Sequence, residues 1–308
     1  MKPTEQIRGR FAPSPTGRMH LGNVYTALLS WLSVKAQGGV WILRIEDLDP
    51  QRSKAAYAEQ IEDDLRWLGL PWDEGGNTPD YRQSTRTELY AHYFRLLEQQ
   101  GLVYPCFCRR ADILAAQAPH VSDNHGVYAG TCRHLTPDDI AQKRTQRTPS
   151  YRLKVPNQSI KFDDGHYGAQ SHNLQHMCGD FVVRRADGVF AYQLAVVVDD
   201  ALMHINQVVR GNDLLTSTPQ QIYLYRLLGL EVPQFYHLPL LCSASGERLC
   251  KRDKSLDLGE LRKHRSAEEI IGELAFLAHL IDKNEPIAPR ELLPLFDWQK
   301  IPHQNIIV

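Results

Sequence analysis

The chain has 308 residues, of which 43% are hydrophobic and 23% charged, a composition typical of a globular protein with room for two or three domains. Its net charge of −1 excludes a general affinity for polyanions, so nucleic acid would have to bind at a local basic patch. The sequence has no long uninterrupted apolar segment and its start lacks a signal-peptide core. We therefore expect a cytoplasmic protein that makes no membrane contact.

Strand and helix signals alternate in the first third of the chain. Residues 7–12 (IRGRFA) form a strand candidate, and apolar residues recur at helical spacing over 21–32 until a pair of glycines interrupts them. The apolar strand at 40–45 (VWILRI) completes a βαβ unit, which predicts an α/β fold with a parallel sheet and ligands at the carboxyl ends of its strands. Two more helices are predicted over 55–70 and 87–101.

Short polar pieces and a cysteine cluster over 105–185 are typical of an insertion. The apolar run at 190–202 and the segment at 207–213 are predicted to restart the sheet, followed by a capped helix over 218–230. An amphipathic helix over 267–281 precedes a proline-rich end. The predicted parts are residues 1–104 and 186–240 for the two halves of the sheet domain, 105–185 for the insertion, and 241–308 for a basic loop and a short, mainly helical C-terminal segment.

The segment GRFAPSPTGRMHLGN at residues 9–23 carries a candidate phosphate site. His20 and Asn23 are three residues apart in the first turn of a predicted helix, so their side chains share a face beside free backbone N–H groups. A helix N-terminus with two neutral hydrogen-bond donors suits the phosphates of ATP. The same spacing is equally typical of two residues that only cap a helix.

Five motifs in this order resemble those of class I aminoacyl-tRNA synthetases of the glutamyl type. They are RFAPSPTGRMHLGN, LRIEDLDP, FAYQLAVVVDDAL, VVRGNDLL and HLPLL with RLCKR, and the resemblance extends over residues 8 to about 255. The resemblance implies a Rossmann-like parallel sheet split by an inserted zinc-containing domain. It also implies that HLGN corresponds to the HIGH signature of the family, which places His20 and Asn23 at ATP.

The charges at the first strand and its partners fit free glutamate, which has two carboxylates and one ammonium group. Arg10 and Arg210 offer planar guanidinium groups suited to carboxylates, and Glu46 suits the α-amino group. An arginine at position 210 also disfavours glutamine, whose neutral amide would leave a buried guanidinium unpaired. The resemblance implies further glutamate contacts from the rest of the first motif and from one tyrosine: Phe11, Ala12, Pro13, Ser14 and Tyr192. Each of these residues also has an ordinary explanation as a surface charge, a helix cap or a core aromatic.

A metal site is predicted from three of the six cysteines: Cys106, Cys108 and Cys132. In a reducing compartment such a cluster favours metal binding over disulfides, although three reduced structural thiols remain an alternative. For a fourth ligand, residue chemistry alone favours His125 or His134. The resemblance implies Tyr128 instead, through a C-x-C…Y-x-x-x-C pattern that holds one structural zinc ion.

The basic stretch GERLCKRDKS at 246–255 can be aligned in two registers with the KMSKS signature of these enzymes. KRDKS would make Lys254 the ATP-binding lysine, whereas RLCKR would make it Lys251. Because HLPLL leads through a turn directly into RLCKR, the resemblance favours Lys251. In that register Arg248 and Cys250 occupy the usual lysine and serine positions.

The chain ends about fifty residues after this loop, fewer than an anticodon-binding domain needs. Short members of the family activate L-glutamate with ATP and Mg²⁺ without tRNA, then esterify queuosine in the anticodon of tRNA(Asp). We expect this activity and a monomer. Charging of a tRNA 3′ end and a non-catalytic glutamate or adenylate sensor are the alternatives. Basic residues over 141–154 are either RNA contacts or a solvated face.

Overall fold

The computed structural model describes residues 6–109, 127–243, 245–246, 249 and 257–308. Several residues singled out from the sequence lie outside this part of the chain: His125, Arg248, Cys250, Lys251 and Lys254. Among the helices of the described residues, none is both long and apolar enough to cross a membrane.

The strands and helices of the described residues are as follows. The strands are β1 (Arg8–Phe11), β2 (Val40–Leu43), β3 (Glu74–Gly75), β4 (Val103–Cys106), β5 (Ser150–Leu153), β6 (Ser159–Asp164), β7 (Gly168–Asn173), β8 (Phe181–Arg184), β9 (Gln207–Gly211), β10 (Gln234–Leu238), β11 (Leu241–Cys242) and β12 (Ile306–Ile307). The α-helices are α1 (Leu21–Lys35), α2 (Ala55–Trp67), α3 (Thr87–Gln99), α4 (Pro137–Arg144), α5 (Leu174–Met177), α6 (Tyr192–Leu202), α7 (Thr218–Leu227), α8 (Leu258–Leu261) and α9 (Ala267–Leu277).

A five-stranded parallel sheet carries the candidate site. Its strand order is β10, β9, β1, β2 and β3, and every pairing in it is parallel. The predicted βαβ unit of β1, α1 and β2 is confirmed, with Arg10 in register with Ile42. Because β1 and β9 are neighbours, Arg10 and Arg210 reach the same edge of the sheet although they are far apart in the sequence.

Helix α1 packs closely on this sheet. Its residues are buried on most faces, and the backbone of Gly9 in β1 approaches Val34 so closely that a Cβ at position 9 would collide with the valine side chain. Phe11 stacks on Trp41 of the neighbouring strand with ring centroids 6.1 Å apart. This packing holds the first motif rigidly at the end of β1.

The expectation that residues 190–202 restart the sheet is wrong, since this run forms helix α6. Residues 194–200 of the helix are all buried, Asp199 and Asp200 included, so the run lacks the exposed face whose period indicates a helix. A helix that is buried on all sides resembles a buried strand in its sequence, and three consecutive valines favour a strand further. The sheet resumes at β9, within the predicted segment 207–213.

Antiparallel strands lie between Val103 and Arg184, a range that overlaps the predicted insertion at 105–185. β4, β5 and β8 form a three-stranded sheet, and β6 and β7 form a hairpin. The turn of this hairpin reaches the edge strand of the parallel sheet, where Gly165 N–H donates to the Phe235 carbonyl at 2.8 Å. One side of the insertion therefore packs against the parallel sheet that carries the candidate site.

The described C-terminal segment contains helices α8 and α9, and its last strand pairs with β11, the strand that precedes the basic loop. β12 pairs in parallel with β11, and Leu240 N–H donates to Asn305 Oδ1 at 2.9 Å. The end of the chain thus packs against β11.

Candidate active site

A cavity of about 480 Å³ opens at the carboxyl ends of β1 and β9. Its lining includes every residue within the described part of the chain that the sequence assigned to glutamate or ATP: Arg10, Phe11, Ala12, Pro13, Ser14, His20, Asn23, Glu46, Tyr192 and Arg210. The parallel sheet brings these residues together because the carboxyl ends of its strands meet at one edge.

His20 and Asn23 form the cap of α1. Gly22 N–H donates to His20 Nδ1 at 3.2 Å, and His20 N–H donates to Asn23 Oδ1 at 3.2 Å. The accepting Nδ1 places the proton of the neutral imidazole on Nε2, and the engaged Oδ1 makes the Asn23 amide nitrogen the group that donates. The cap contacts therefore leave both roles compatible, because they engage His20 Nδ1 and Asn23 Oδ1 and so fix the orientation of the donors His20 Nε2–H and the Asn23 amide.

A buried charge network lies behind the first strand. Arg10 Nε donates to Asp200 Oδ1 at 3.1 Å, and Arg44 donates to the same oxygen at 2.6 Å and to Glu46 Oε1 at 3.1 Å. Burial raises the pKa of Asp200, but Arg10 and Arg44 outweigh that effect and the net shift is downward. Burial also raises the pKa of Glu46, and there the arginines offset it only in part. A ligand ammonium group beside Glu46 would stabilise its charged form.

Arg210 is held by neutral groups alone within the described residues. Its guanidinium donates to His237 Nε2 at 3.1 Å, Gln221 Oε1 at 2.8 Å, Thr218 Oγ1 at 2.9 Å and the Leu214 carbonyl at 3.5 Å. Burial lowers its pKa, as expected for a cation taken out of water. A buried guanidinium held this way is stabilised by the carboxylate of a ligand.

The three sulfurs of Cys106, Cys108 and Cys132 lie within 4.8 Å of one another. The Cys108 and Cys132 sulfurs are 3.6 Å apart, and the Tyr128 hydroxyl lies 3.4 Å from the Cys106 sulfur and 4.0 Å from that of Cys108. Ligands at ordinary zinc distances form a tetrahedron with edges of about 3.6 to 3.8 Å, so the donor set fits a zinc ion. Phe107 N–H also donates to the Cys132 sulfur at 3.5 Å, a contact that stabilises a thiolate.

His134 and His125 were the other two candidates for the fourth zinc ligand. His134 is exposed and does not belong to the group of described histidine, cysteine and acidic residues around the three sulfurs, and His125 is outside the described residues.

Arg152 lies over the Tyr128 ring at 3.9 Å and donates to the Cys106 sulfur at 3.3 Å. A buried cation beside this cluster offsets part of the negative charge that bound thiolates bring.

A family model described as tRNA synthetases class I (E and Q), catalytic domain, matches residues 6–271. The chain belongs to this synthetase family. It is 50% identical over 306 residues to a protein of Symbiobacterium thermophilum named glutamyl-Q tRNA(Asp) synthetase, covering 97% of this chain and 94% of that protein. It is 42% identical over 287 residues to glutamate–tRNA ligase 2 of Alkalilimnicola ehrlichii, covering 91% and 60% of the two chains.

Solved structures agree with the fold. A glutamate tRNA ligase from Elizabethkingia meningosepticum, in complex with its amino acid, superposes with a TM-score of 0.84 at 29% identity, covering 98% of this chain and 67% of that one. The class I synthetase fold, with its parallel sheet, is thereby established for this chain. As a member of the family, the chain is a ligase.

Sequence reasoning missed three charged residues of the buried network behind the candidate site: Arg44, Asp199 and Asp200. Asp199 accepts from Gln83 at 2.8 Å, from Arg86 at 2.7 Å and from the Tyr90 hydroxyl at 2.9 Å. The available signal was an acidic pair inside an apolar run, since buried carboxylates are rarely tolerated without cationic partners.

The basic residues of 141–154 divide into two groups. Lys143 and Arg144 are exposed on α4, where either RNA or solvent can reach them. Arg152 is buried against Tyr128, and Arg147 donates to the Phe107 carbonyl at 3.3 Å. The stretch is therefore not a uniform solvated face.

Proposed function

We propose that this synthetase activates L-glutamate with ATP and then transfers the glutamyl group to queuosine in the anticodon of tRNA(Asp). The observation that carries the proposal is the charge pattern of one cavity. Arg10 and Arg210 supply two cationic groups for two carboxylates, and Glu46 supplies an anion for one ammonium. Within the described residues, Arg210 contacts only neutral groups, so it has capacity for a ligand anion.

The first step joins glutamate to AMP. An oxygen of the α-carboxylate attacks the α-phosphorus of ATP, the bond to the bridging oxygen breaks, and pyrophosphate leaves. His20 Nε2–H and the Asn23 amide are oriented to donate to phosphate oxygens as their charge increases. Mg²⁺ bound to ATP would share that charge. Lys251, outside the described residues, is the loop residue we assign to the same role.

The second step releases AMP. A hydroxyl of the queuosine cyclopentene ring attacks the activated carbonyl, the bond between carbonyl carbon and phosphate oxygen breaks, and the hydroxyl proton passes to solvent. No protein nucleophile is required. Positioning and electrostatic stabilisation supply most of the rate.

Queuosine is supported as the acceptor by the names of the relatives. Proteins from Symbiobacterium thermophilum and Nitratidesulfovibrio vulgaris, at 50% and 47% identity, are both named glutamyl-Q tRNA(Asp) synthetase. A second candidate is charging of a tRNA 3′ end, which the Alkalilimnicola ehrlichii ligase at 42% identity favours.

We also propose one structural zinc ion, held by three thiolates and a phenolate: Cys106, Cys108, Cys132 and Tyr128. Support comes from the closeness of these donors: the three sulfurs lie within 4.8 Å of one another, and the Cys108–Cys132 separation of 3.6 Å and the Cys106–Tyr128 separation of 3.4 Å are near the edge lengths of a zinc tetrahedron. The ion would order the start of the insertion and takes no part in ATP chemistry. We further propose that the protein is a monomer in the cytoplasm, where ATP and tRNA are found.

ATP–pyrophosphate exchange, measured with glutamate and without tRNA, tests the first step. Its absence would contradict the proposed first step, and its absence in the presence of tRNA as well would favour a glutamate or adenylate sensor. Transfer of labelled glutamate to tRNA(Asp) that contains queuosine, compared with the same tRNA lacking it, tests the second step. Recovery of the label in the anticodon stem-loop fragment after nuclease cleavage, and not at the 3′ end, identifies the modified base. Equal transfer to both tRNAs would instead indicate 3′ charging.

A further inference from the structure

A chain of hydrogen bonds runs from the insertion to the guanidinium group of the candidate glutamate site. Asp164 is the last residue of β6, and its Oδ2 lies 2.5 Å from His237 Nδ1. His237 Nε2 lies 3.1 Å from Arg210 Nε. All three side chains are buried, so water does not compete for these contacts.

The direction of each hydrogen bond in this chain follows from Arg210. Its Nε can only donate, so His237 Nε2 must accept, and the imidazole proton must be on Nδ1. That proton is then donated to Asp164 Oδ2. The second oxygen of Asp164 accepts the backbone N–H groups of His166, Tyr167 and His237 at 2.9 to 3.2 Å. Both oxygens of Asp164 therefore accept hydrogen bonds, which requires the side chain to be an ionised carboxylate.

The charge states agree with this arrangement. Burial lowers the pKa of His237, and Asp164 offsets this only in part, which keeps the imidazole neutral. Burial alone would raise the pKa of Asp164, but its hydrogen bond from His237 and those from the turn lower it. Protonated His237 would instead point a donor at the Arg210 donor and add a second positive charge.

We propose that Asp164 and His237 are positioning residues that aim Arg210 at a carboxylate of glutamate. The inference rests on the glutamate function proposed above. Asp164 sets the tautomer of His237, and His237 supplies the acceptor that fixes Arg210.

The imidazole also acts as a neutral spacer between the two charges. A carboxylate in direct contact with Arg210 would form an ion pair and compete with the carboxylate of the substrate. Placed behind a neutral imidazole, Asp164 orients the guanidinium without such direct competition. Amino-acid recognition therefore depends on a residue of the insertion.

The Asp164→Asn variant separates this role from a structural one. Three backbone N–H groups hold the side-chain oxygen at position 164, so the new amide nitrogen turns to His237 Nδ1 and forces the imidazole proton to Nε2. Arg210 then faces a donor. We expect the KM for glutamate to rise about tenfold to a hundredfold, as for an unsatisfied buried polar group. The KM for ATP, and kcat at saturating glutamate, should change by about twofold or less. Asp163→Asn, on the exposed side of the same strand, is the matched control.

His237→Gln tests the tautomer directly, because an amide oxygen can accept from Arg210 without depending on residue 164. The Asp164→Asn/His237→Gln double variant should have a glutamate KM no higher than His237→Gln alone. The proposal is overturned if Asp164→Asn leaves the glutamate KM unchanged, raises the ATP KM equally, or adds its full effect in the double variant.

Nitrogen NMR of histidine-labelled protein gives a readout independent of the reaction. The signal lost in His237→Gln identifies residue 237, which should carry its proton on Nδ1 in the unmodified protein and on Nε2 in Asp164→Asn. A proton on Nε2 in the unmodified protein would overturn the positioning role. Absence of glutamate-dependent exchange in the unmodified protein would instead overturn the proposed function, so the two failures are distinguishable.

Discussion

Arg10 and Arg44 share a single acceptor, Oδ1 of the buried Asp200, at 3.1 Å and 2.6 Å. The carboxylate separates two guanidinium groups that would otherwise repel each other in a medium of low dielectric constant. Arg10 is thereby anchored through Nε at the wall of the cavity that it lines.

Asp200→Asn should therefore destabilise the protein. The substitution keeps the size of the side chain but leaves two buried cations without their shared anion, at a cost of about 3 to 5 kcal/mol in the free energy of unfolding. Urea denaturation followed by circular dichroism measures this change. Asp187→Asn removes an exposed ion pair with Arg185 and should leave the unfolding midpoint nearly unchanged. Equal midpoints for the two variants would contradict the role of Asp200.

Arg210→Gln should raise the KM for glutamate a hundredfold or more, because the variant removes the buried positive charge that the ligand carboxylate would pair with. Glutamate-dependent pyrophosphate exchange measures the effect. Arg226→Gln, exposed on α7, is the control and should behave like the unmodified protein. Unchanged glutamate kinetics in Arg210→Gln would remove this residue from the site.

The basic loop at 246–255 gives a prediction that depends on the sequence alone. Lys251→Ala should abolish adenylate formation, because the register RLCKR makes it the residue that meets ATP phosphates. Lys254→Ala should retain most of the exchange activity as a surface substitution. The reverse result would establish the KRDKS register.

Metal analysis tests the cysteine cluster. The purified protein should contain one zinc ion per chain, and Cys132→Ser should lose it because one of the thiolate ligands is gone. Cys178→Ser is a suitable control, since that sulfur donates to the Leu174 carbonyl outside the cluster. Unchanged zinc content in Cys132→Ser would exclude the site as described.

The stability of the protein should decrease in mild acid partly because of His237. Burial lowers the pKa of His237 in the folded protein, so the unfolded chain binds the proton first. The contribution is complete above the ordinary histidine pKa of about 6.5 and is lost as the pH falls below it. The charged groups that face His237 are Asp164 from β6, Arg210 from β9 and Asp213 from the segment after β9.

Thermal unfolding between about pH 8 and about pH 5 measures this dependence. His237→Gln should lose less of its Tm over that range than the unmodified protein, because glutamine does not titrate. His166, another buried histidine with a lowered pKa, remains in both proteins and cancels in the comparison. Identical pH profiles would show that His237 takes no part in acid destabilisation.

Much of the sheet and of the first motif followed from the sequence because their signals are local. The βαβ unit has helical and strand periodicities within about forty residues. The His20 and Asn23 pair shares a helix face through its spacing alone. The helix at α6 was mistaken for part of the sheet because burial on every side removes the period on which such predictions depend.

The sequence by itself determined which residue types are available at each motif: two arginines and a glutamate that we propose for the amino acid, a histidine and an asparagine that we propose for phosphate, and three cysteines that we propose for a metal. The tyrosine ligand was implied by the family resemblance. Only the tertiary structure decided that Asp200 joins Arg10 to Arg44, and that Asp164 of the insertion meets His237, 73 positions away. Spacing along the chain reports on neighbours within one helix or strand. Contacts between elements depend on how their buried faces pack, so the groups that orient the arginines became visible only once the elements were packed together.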